Sequence, residues 1–281
     1  MQTELQAIIR DNVAAALAED VGSGDLTAAL VPAGSRARAR IVARETLTLA
    51  GRPWVDQVFL ALDPGAAIDW RCRDGDEVAA GATICLLAGD ARALLTGERT
   101  ALNFLQTLSG TATAAARCVA AVAHTKARIL DTRKTIPGLR AAQKYAVRTG
   151  GATNHRHGLY DAILIKENHI AAAGSLPAAV AAARAVDDSV LLEVEVETLD
   201  QLQEALAAGV RRILLDNFDL DGLAQAVALN RRAGAPPAEL EASGGLAAED
   251  LAAVAETGVD YISTGAITKH LRAADLSMRF E

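Results

Sequence analysis

The strongest constraint on the fold is a regular alternation of short apolar runs and helical patterns in the second half of the chain. Six strand-like runs occur, at residues 127–130, 162–165, 190–196, 211–215, 239–242 and 259–262. Helical apolar spacing lies between them, at 171–186, 199–208, 219–232 and 247–256. Strands that alternate with helices form parallel β-α units, so this part is predicted to be an α/β barrel or a doubly wound sheet.

The first part of the chain is organised differently. A helical pattern at 3–18 is followed by strand-like alternation at 36–44 and by shorter strand candidates at 66–72 and 83–88. A long alanine-rich helical stretch then covers 92–123, with an expected break near Ser109-Gly110. We expect an N-terminal α+β domain at 1–110 and an α/β barrel catalytic domain at 111–269. We further expect the tail, 270–281, to pack back onto the first domain.

Composition excludes several classes of protein. The 281 residues carry 35 acidic and 28 basic side chains, a net charge of −7, which argues against nucleic-acid and membrane-surface partners. Three scattered cysteines do not form a disulfide framework or a zinc knuckle. No run approaches the roughly 18 apolar residues of a membrane span, and the N-terminus lacks the layout of a signal peptide. These features predict a cytoplasmic protein.

Residues 128–169 reverse the overall charge. This window holds eight basic and three acidic residues and is therefore +5, whereas the remainder of the chain is −12. For Arg140, Lys144 and Arg148, an ordinary solvated helix face is an equally good interpretation. Arginine and lysine clustered in an acidic protein otherwise predict a small polyanionic ligand, such as a dicarboxylate, a pyrophosphate or both. The remaining basic residues are Arg128, Arg133, Lys134, Arg156 and Lys166.

Polar residues come directly after the predicted strands, where each one ends. In α/β barrels these ends converge on one mouth, where the active site lies. Glu195 alternates with valines and therefore shares a strand face with Glu193 and Glu197, for which a solvated or salt-bridged role is the simpler interpretation. Glu195 and Asp216, on neighbouring strand ends, suit Mg²⁺, which takes one or two carboxylates together with substrate phosphate oxygens.

Small residues end the last two strands. Ser243-Gly244-Gly245 and the segment 263–266 each precede a helical pattern, an arrangement in which backbone N–H groups can cradle a phosphate. His155 and His157 flank Arg156 in a glycine-rich turn. Zinc would need a third ligand at suitable spacing, so hydrogen bonding to substrate or to neighbours is the expected role of these histidines.

Seven segments together resemble the quinolinate phosphoribosyltransferases, also called nicotinate-nucleotide diphosphorylases (carboxylating). The most specific is DTRKTIPGLRAAQKYAVRTGGATNHRHGLYDAILIKENHI at 131–170. The others are EDVGSGDLTAALV (19–31), ERTALNFLQTLSG (98–110), EVEVE (193–197), ILLDNF (213–218), EASGG (241–245) and ISTGAIT (262–268). The resemblance covers nearly the whole chain. One departure is Ala152, which stands where the family commonly has a third glycine.

The resemblance implies both a fold and a reaction. The fold would be an N-terminal α+β open-faced sandwich followed by a C-terminal α/β barrel-like domain, as in type II phosphoribosyltransferases. The reaction would convert quinolinate and phosphoribosyl pyrophosphate into nicotinate mononucleotide, pyrophosphate and CO₂, a step of NAD biosynthesis. It would require Mg²⁺ and no organic cofactor.

The resemblance also implies roles for individual residues. Arg133, Arg156 and Lys166, with His155 nearby, would hold the quinolinate carboxylates, and Lys134 would lie between the two substrates. Glu195 and Asp216 would bind ribose hydroxyls or the metal. The implied catalytic residues are Lys134, Lys166, Glu195 and Asp216. The implied substrate-binding set adds Arg99, Thr132, Arg133, His155, Arg156, Ser243, Gly244, Gly245, Thr264, Gly265 and Ala266.

Arg99 is implied to reach into the active site of a neighbouring subunit. An obligatory homodimer is therefore expected, with a higher oligomer of dimers left open.

Three alternative functions stay open on the sequence. The molybdenum-associated homologue of the same family shares the fold and part of the motif set. A Schiff-base aldolase would use Lys166 as a lysine at a strand end of a barrel. A non-enzymatic binding module would rest on the segment GDEVAAGATICLLAG, which is similar to the hairpin of lipoyl and biotinyl carrier domains but lacks their modifiable lysine.

Overall fold

The computed structural model describes residues 2–234 and 236–281, which form two compact units. The first unit comprises Met1–Ala116, Thr135–Gly151 and Thr268–Glu281, and the second Arg117–Lys134 and Ala152–Ile267. The segment 135–151 belongs to the first unit although it lies beyond residue 110, because Ala142 and Ala146 join that unit's hydrophobic core.

The first unit contains helices and an antiparallel sheet. Its elements are α1 (Gln2–Val21), β1 (Arg36–Ala43), β2 (Leu47–Thr48), α2 (Arg52–Leu62), β3 (Ala67–Trp70), β4 (Glu77–Val78), β5 (Thr83–Asp90), α4 (Arg140–Thr149) and β12 (Leu276–Phe280). The helix α3 (Ala91–Val122) begins in it. The strands are ordered β12-β1-β5-β3, and β2 pairs separately with β4.

The alternating sequence of β1 gives its sheet one buried face. Arg36, Arg38 and Arg40 are exposed, whereas Ala39 and Ile41 are fully buried. Because side chains alternate across a strand, the small apolar residues face the core and the arginines face solvent. On the core side lie Trp54 and Phe59 of α2, both without solvent exposure.

The helix α3 is continuous, so the expected break near Ser109-Gly110 is wrong. Both residues serve close packing instead. The Ser109 hydroxyl donates to the carbonyl of Ala50 at 3.1 Å and accepts from its N–H at 3.0 Å. A Cβ on Gly110 would lie 2.2 Å from the carbonyl oxygen of Arg272. The small side chains therefore let other backbone segments approach a helix whose own hydrogen bonds continue past them.

The interpretation of Lys144 as a surface residue is also wrong. Lys144 is fully buried on α4, whereas Arg148 on the same helix is exposed. The basic residues of this helix therefore do not all lie on one solvated face.

The second unit contains the alternating strands and helices that the sequence predicted. Its elements are β6 (Arg128–Leu130), β7 (Ala162–Ile165), α5 (Glu167–Ala173), α6 (Leu176–Val186), β8 (Leu191–Val196), α7 (Leu199–Ala207), β9 (Arg212–Asp216), α8 (Leu220–Ala233), β10 (Glu239–Ser243), α9 (Leu251–Glu256) and β11 (Tyr261–Ser263), and α10 (Ala266–Lys269) begins in it. Among the described residues no single helix is long and apolar enough to cross a membrane. The pair α5 and α6 meets that criterion only when taken together, and it is bent by 94°.

The six strands of this unit form one parallel sheet in the order β6-β11-β10-β9-β8-β7. Since all strands run the same way, their carboxyl ends lie at one edge of the sheet, which is where ligands bind in such folds. The predicted fold class, with an N-terminal α+β part and a C-terminal parallel α/β part, is confirmed.

Candidate active site

The ends of β6 and β11 lie side by side at the carboxyl edge. The N–H of Thr264 donates to the carbonyl of Leu130 at 3.0 Å, and the Thr132 hydroxyl accepts from the N–H of Lys134 at 3.1 Å. A Cβ on Gly265 would lie 2.9 Å from Cδ of Lys134. The absence of a side chain at Gly265 therefore makes room for Lys134, whose side chain crosses the glycine loop.

Beside β6, a tightly bonded turn carries the next candidate residues. The carboxylate of Asp131, fully buried, accepts from the Asn154 side chain at 2.6 Å and from the N–H of His155 at 2.8 Å. Asp161 accepts from the N–H groups of His157 and Gly158 at 2.7 and 2.9 Å. These backbone bonds fix the conformation of the turn that presents residue 156.

The methyl group of Ala152, the visible departure from the family, is accommodated at the start of this turn. Ala152 is 7% exposed. The neighbouring Thr153 pairs with Leu130 in a parallel bridge. The turn thus continues the sheet alongside β6 with alanine in place of glycine.

The guanidinium groups of Arg133 and Arg156 lie within electrostatic range of each other. Burial lowers the pKa of Arg156, and the positive charge of Arg133 lowers it further. The Arg156 guanidinium also donates to the carbonyl of Ala162 at 3.3 Å. Two like charges held within electrostatic range repel each other, and a bound dianion would relieve that repulsion.

The ends of β7 and β8 supply an ion pair. Lys166 Nζ lies 2.5 Å from Glu195 Oε2. The Lys166 side chain is 43% exposed, whereas that of Glu195 is 10% exposed. A carboxylate anchored in the sheet thus holds a cation that reaches toward solvent.

The ends of β9 and β10 meet in a strained loop. The N–H of Asn217 donates to the carbonyl of Ser243 at 3.0 Å, and its side chain donates to Asp216 Oδ2 at 2.8 Å. Asn217 has a φ of 57°, and Gly244 has a φ of 134°. A Cβ on Gly244 would lie 2.7 Å from Oδ1 of Asn217. This loop requires glycine both for its backbone conformation and for the close approach of Asn217.

The two small-residue loops lead into different helices. The loop after β11 continues directly into α10, which has four residues. The loop after β10 reaches α9 only through a 3-10 helix at Ala248–Asp250, so the expectation of an immediately adjoining helix is wrong there. Since both helices are short, the loop N–H groups are the main candidates for anion binding.

A buried charge cluster lies below the edge. His155 Nε2 is 2.8 Å from Glu193 Oε2 and 3.6 Å from Glu241 Oε2. Arg212 donates to Glu193 at 3.3 Å and to Glu241 at 3.1 Å. The same guanidinium stacks on Tyr261, 3.5 Å from the ring centroid. Two carboxylates, one guanidinium and one imidazole thus share a largely buried site, which Arg212 connects to the exposed Glu239.

Burial and the proximity of these charged groups shift their pKa values. Burial raises the pKa of Glu241, and the charge of Glu193 helps to raise it to about 7. Burial lowers the pKa of His155, but its hydrogen bond to Glu193 and the charge of Glu241 outweigh this effect and raise it. Glu241 and His155 therefore both hold a proton more tightly than they would in water.

Most of the predicted site residues lie around this one sheet edge. Arg99, by contrast, is an exposed residue of α3 in the first unit, and its role across a subunit interface stays a prediction. Sequence reasoning missed Arg212 and Glu241. The signal in the sequence was the alternation of Glu239, Leu240 and Glu241, since a charge repeating along a buried parallel strand indicates an ion pair inside the sheet.

Comparison with known proteins agrees with this geometry. Residues 25–109 match the family model "Quinolinate phosphoribosyl transferase, N-terminal domain", and residues 111–279 match the corresponding C-terminal domain. A curated relative from Mycobacterium leprae, "Nicotinate-nucleotide pyrophosphorylase [carboxylating]", is 45% identical and covers 96% of both chains. A probable enzyme of the same name from Synechocystis is 44% identical over 94% of this chain and 89% of its own.

A solved structure extends this similarity to three dimensions. The nicotinate-nucleotide pyrophosphorylase from Francisella tularensis superimposes with a TM-score of 0.95 and is 45% identical, covering 98% of this chain and 97% of its own. Both family domains are matched in order, and the relatives align over almost their full length. The chain therefore belongs to the quinolinate phosphoribosyltransferase family.

Proposed function

We propose that this protein transfers the phosphoribosyl group of phosphoribosyl pyrophosphate to quinolinate, giving nicotinate mononucleotide, pyrophosphate and CO₂ for NAD biosynthesis. The observation that carries the proposal is the placement of three cations at the carboxyl edge of the parallel sheet: Arg133 follows β6, Arg156 lies on the turn that pairs with β6, and Lys166 follows β7. Guanidinium groups bind carboxylates through paired hydrogen bonds, so the arrangement suits an aromatic dicarboxylate.

Lys134 and the small-residue loops are the proposed site for phosphoribosyl pyrophosphate. The loops at 243–245 and 264–266 offer backbone N–H groups to a 5′-phosphate. Lys134 lies directly over Gly265, between that loop and the turn with Arg156. This position supports a role for Lys134 between the two substrates, where its charge would stabilise the departing pyrophosphate.

Mg²⁺ is the proposed metal, and the carboxylates of Glu195 and Asp216 fit it unequally. Both lie on neighbouring strands, which suits a cation that binds few carboxylates and several substrate phosphate oxygens. Glu195 already binds Lys166 through Oε2, so a metal at Glu195 would compete with Lys166 for the charge of that carboxylate. We therefore assign Asp216 as the preferred metal ligand and Glu195 as the partner of Lys166 and of ribose hydroxyls.

The chemistry needs positioning more than a nucleophile or an organic cofactor. As pyrophosphate leaves, the ribose carbon gains positive charge, and the quinolinate nitrogen attacks it. Orientation of the two substrates and electrostatic stabilisation then supply most of the rate. Loss of CO₂ leaves a ring carbanion beside a nitrogen that ribosylation has made cationic, so the substrate provides its own electron sink.

A homodimer in the cytoplasm completes the proposal. Its basis is the family resemblance around Arg99, which implies an arginine shared between subunits. Residues Leu26 and Leu30 of the first unit are 88% and 83% exposed, as expected of apolar side chains that a second subunit would cover.

The alternative functions are less well supported. A Schiff-base lysine must offer a free amine, whereas Lys166 is engaged with Glu195. The relatives from Mycobacterium leprae, Synechocystis and Francisella tularensis are named for nicotinate-nucleotide pyrophosphorylase, which favours the main proposal over the molybdenum-associated homologue.

The proposal is tested by product formation with two acceptors. With phosphoribosyl pyrophosphate and Mg²⁺, quinolinate should give nicotinate mononucleotide, measured by chromatography. Nicotinate, which lacks one carboxylate, should react slower by roughly 10⁴-fold because it leaves cations of the site without a carboxylate partner. Absence of product from folded protein, or equal use of nicotinate, would overturn the proposal.

Two arginine variants sharpen this test. Arg156→Met should raise the KM for quinolinate by on the order of 100-fold, because a charge-assisted paired contact is lost. Arg231→Met removes the same charge from an exposed position on α8 and should leave KM unchanged. Equal effects of the two substitutions would show that general charge, rather than a carboxylate site, sets quinolinate affinity.

A further inference from the structure

The side chain of His155 is held at both ring nitrogens by the protein itself. Nε2 lies 2.8 Å from Glu193 Oε2, and Nδ1 accepts a hydrogen bond from the N–H of Arg156 at 2.7 Å. The imidazole is 10% exposed. An imidazole engaged in this way has no ring nitrogen left to offer a substrate carboxylate.

The anchor of this histidine is itself held by several contacts. Glu193 and Glu241 are buried and joined by Arg212, itself 7% exposed and stacked on Tyr261. Each buried carboxylate thus has a cationic partner, and each long side chain is fixed by more than one contact. Removing one member leaves a buried charge without its partner, so the cluster keeps its geometry as a unit.

A metal ion is a poor occupant of this cluster. One ligand atom each of His155, Glu193 and Glu241 lie within 4.8 Å of one another, a spacing that could hold a cation. The guanidinium of Arg212 already binds both carboxylates and would repel a divalent ion. The cation that balances the two carboxylates is therefore the guanidinium of Arg212.

The buried cluster supports the turn that carries Arg156. Four successive backbone N–H groups of this turn are bound by side chains: residue 155 by Asp131, residue 156 by the His155 ring, and residues 157 and 158 by Asp161. Only the bond at residue 156 depends on the buried cluster. The orientation of Arg156 is thus connected, through His155, to groups that no substrate can reach.

We infer that His155 is a positioning residue rather than a substrate ligand, and that Glu193, Glu241 and Arg212 act through it to aim Arg156 at the substrate dicarboxylate. The inference rests on the proposed function, since it assigns Arg156 to quinolinate. The buried acids Glu193 and Glu241 would thus contribute to substrate selection. The imidazole of His155 would orient Arg156 rather than bind the substrate as a cation.

The first test is a double-mutant cycle read by steady-state kinetics. Glu193→Gln and His155→Asn should each raise the KM for quinolinate about tenfold, and the double variant should be no worse than the more impaired single variant. The KM for phosphoribosyl pyrophosphate should change much less, because its proposed phosphate loops follow β10 and β11 and neither substituted side chain lies on those strands. Glu204→Gln, an exposed acid on α7, is the matched control and should behave as the parent.

A conservative rescue separates the two roles of His155. The side-chain carbonyl that His155→Asn introduces can still accept from the N–H of residue 156, whereas His155→Ala offers no acceptor. The positioning role predicts a smaller rise in KM for His155→Asn than for His155→Ala. Equal losses in these two variants, multiplicative effects in the cycle, or a parental KM in Glu193→Gln would each overturn the inference.

A measurement that needs no activity keeps the inference separate from the proposed function. In protein labelled with ¹⁵N-histidine, at a pH above the imidazole titration seen in the same spectra, His155 should be the Nε2–H tautomer. Its signal is assigned by its loss in His155→Asn. An Nδ1–H tautomer would contradict the hydrogen bonding. An inactive parent with the Nε2–H tautomer would instead contradict the proposed function alone.

Discussion

At the scale of single residues, the site depends on the absence of side chains at two glycines as much as on its charged groups. Gly265 and Gly244 leave space for Lys134 and Asn217, respectively. The charged groups beside them are held by short contacts, such as those of Asp131 and Asp161 to the turn with Arg156 and of Glu195 to Lys166. At Gly265, a substitution that adds one carbon atom should therefore affect catalysis more than stability.

Gly265→Ala tests this directly. The new Cβ would lie 2.9 Å from Cδ of Lys134, a flexible side chain that can move aside, so we expect the fold to persist and Lys134 to shift. A displacement of this kind should lower kcat about tenfold. The measurement is steady-state kinetics together with a melting curve. A parental kcat, with alanine confirmed at 265, would show that the position of Lys134 is not critical.

The buried acid Glu241 should make stability depend on pH. In the folded protein its pKa is about 7, against an ordinary value of 4.5. The folded state therefore binds an extra proton between these values, and this group's contribution to stability falls as pH rises from about 4.5 through 7. Glu241→Gln imitates the protonated acid and should raise Tm relative to the parent at pH 8 but not at pH 4.5.

The result is read from thermal melts of both proteins at the two pH values. If Glu241→Gln instead lowers Tm equally at pH 8 and pH 4.5, the fold requires the ionised carboxylate and the prediction is wrong.

At the scale of helices and strands, the sequence predicted most of the second unit because its signals are local. Strand-like runs such as 162–165 coincide with β7, and polar residues such as Asp216 do close their strands. The break in α3 was mispredicted because the small residues Ser109 and Gly110 serve contacts with distant segments, which no local pattern records. The role of Arg212 was missed for the same reason, because its partners come from two other strands.

Gly110→Ala tests the packing role of that glycine. Alanine normally favours a helix by about 1 kcal/mol over glycine. Here its Cβ would lie 2.2 Å from the Arg272 carbonyl, so overpacking should outweigh that gain and destabilise the fold by about 1–3 kcal/mol. Denaturant unfolding measures the change, and Ala120→Ser, exposed on the same helix, is the control. A stabilised Gly110→Ala protein would refute the close approach.

At the scale of the whole molecule, charge distribution explains how an acidic protein can bind two anions. The net charge of −7 combines a −12 remainder with a +5 window, and the proposed quinolinate-binding residues of the second unit lie in that window. The protein should therefore repel large polyanions and still concentrate small ones at the sheet edge.

The proposed homodimer predicts complementation between two inactive variants. If Arg99 acts in the partner's site, mixing Arg99→Ala with Lys134→Ala chains creates mixed dimers in which one site is intact. Up to about one quarter of parental activity should return if subunits mix at random and each dimer has two sites. Subunit exchange is verified by native mass spectrometry. A mixture that exchanges and stays inactive would place Arg99 outside the neighbouring site.

The most direct test of the central claim is release of labelled CO₂ from quinolinate carrying ¹³C in its 2-carboxyl group. One CO₂ and one pyrophosphate should form for each nicotinate mononucleotide, and no CO₂ should form when phosphoribosyl pyrophosphate is omitted. Release of CO₂ without phosphoribosyl pyrophosphate, or none from folded protein with both substrates and Mg²⁺ present, would contradict it.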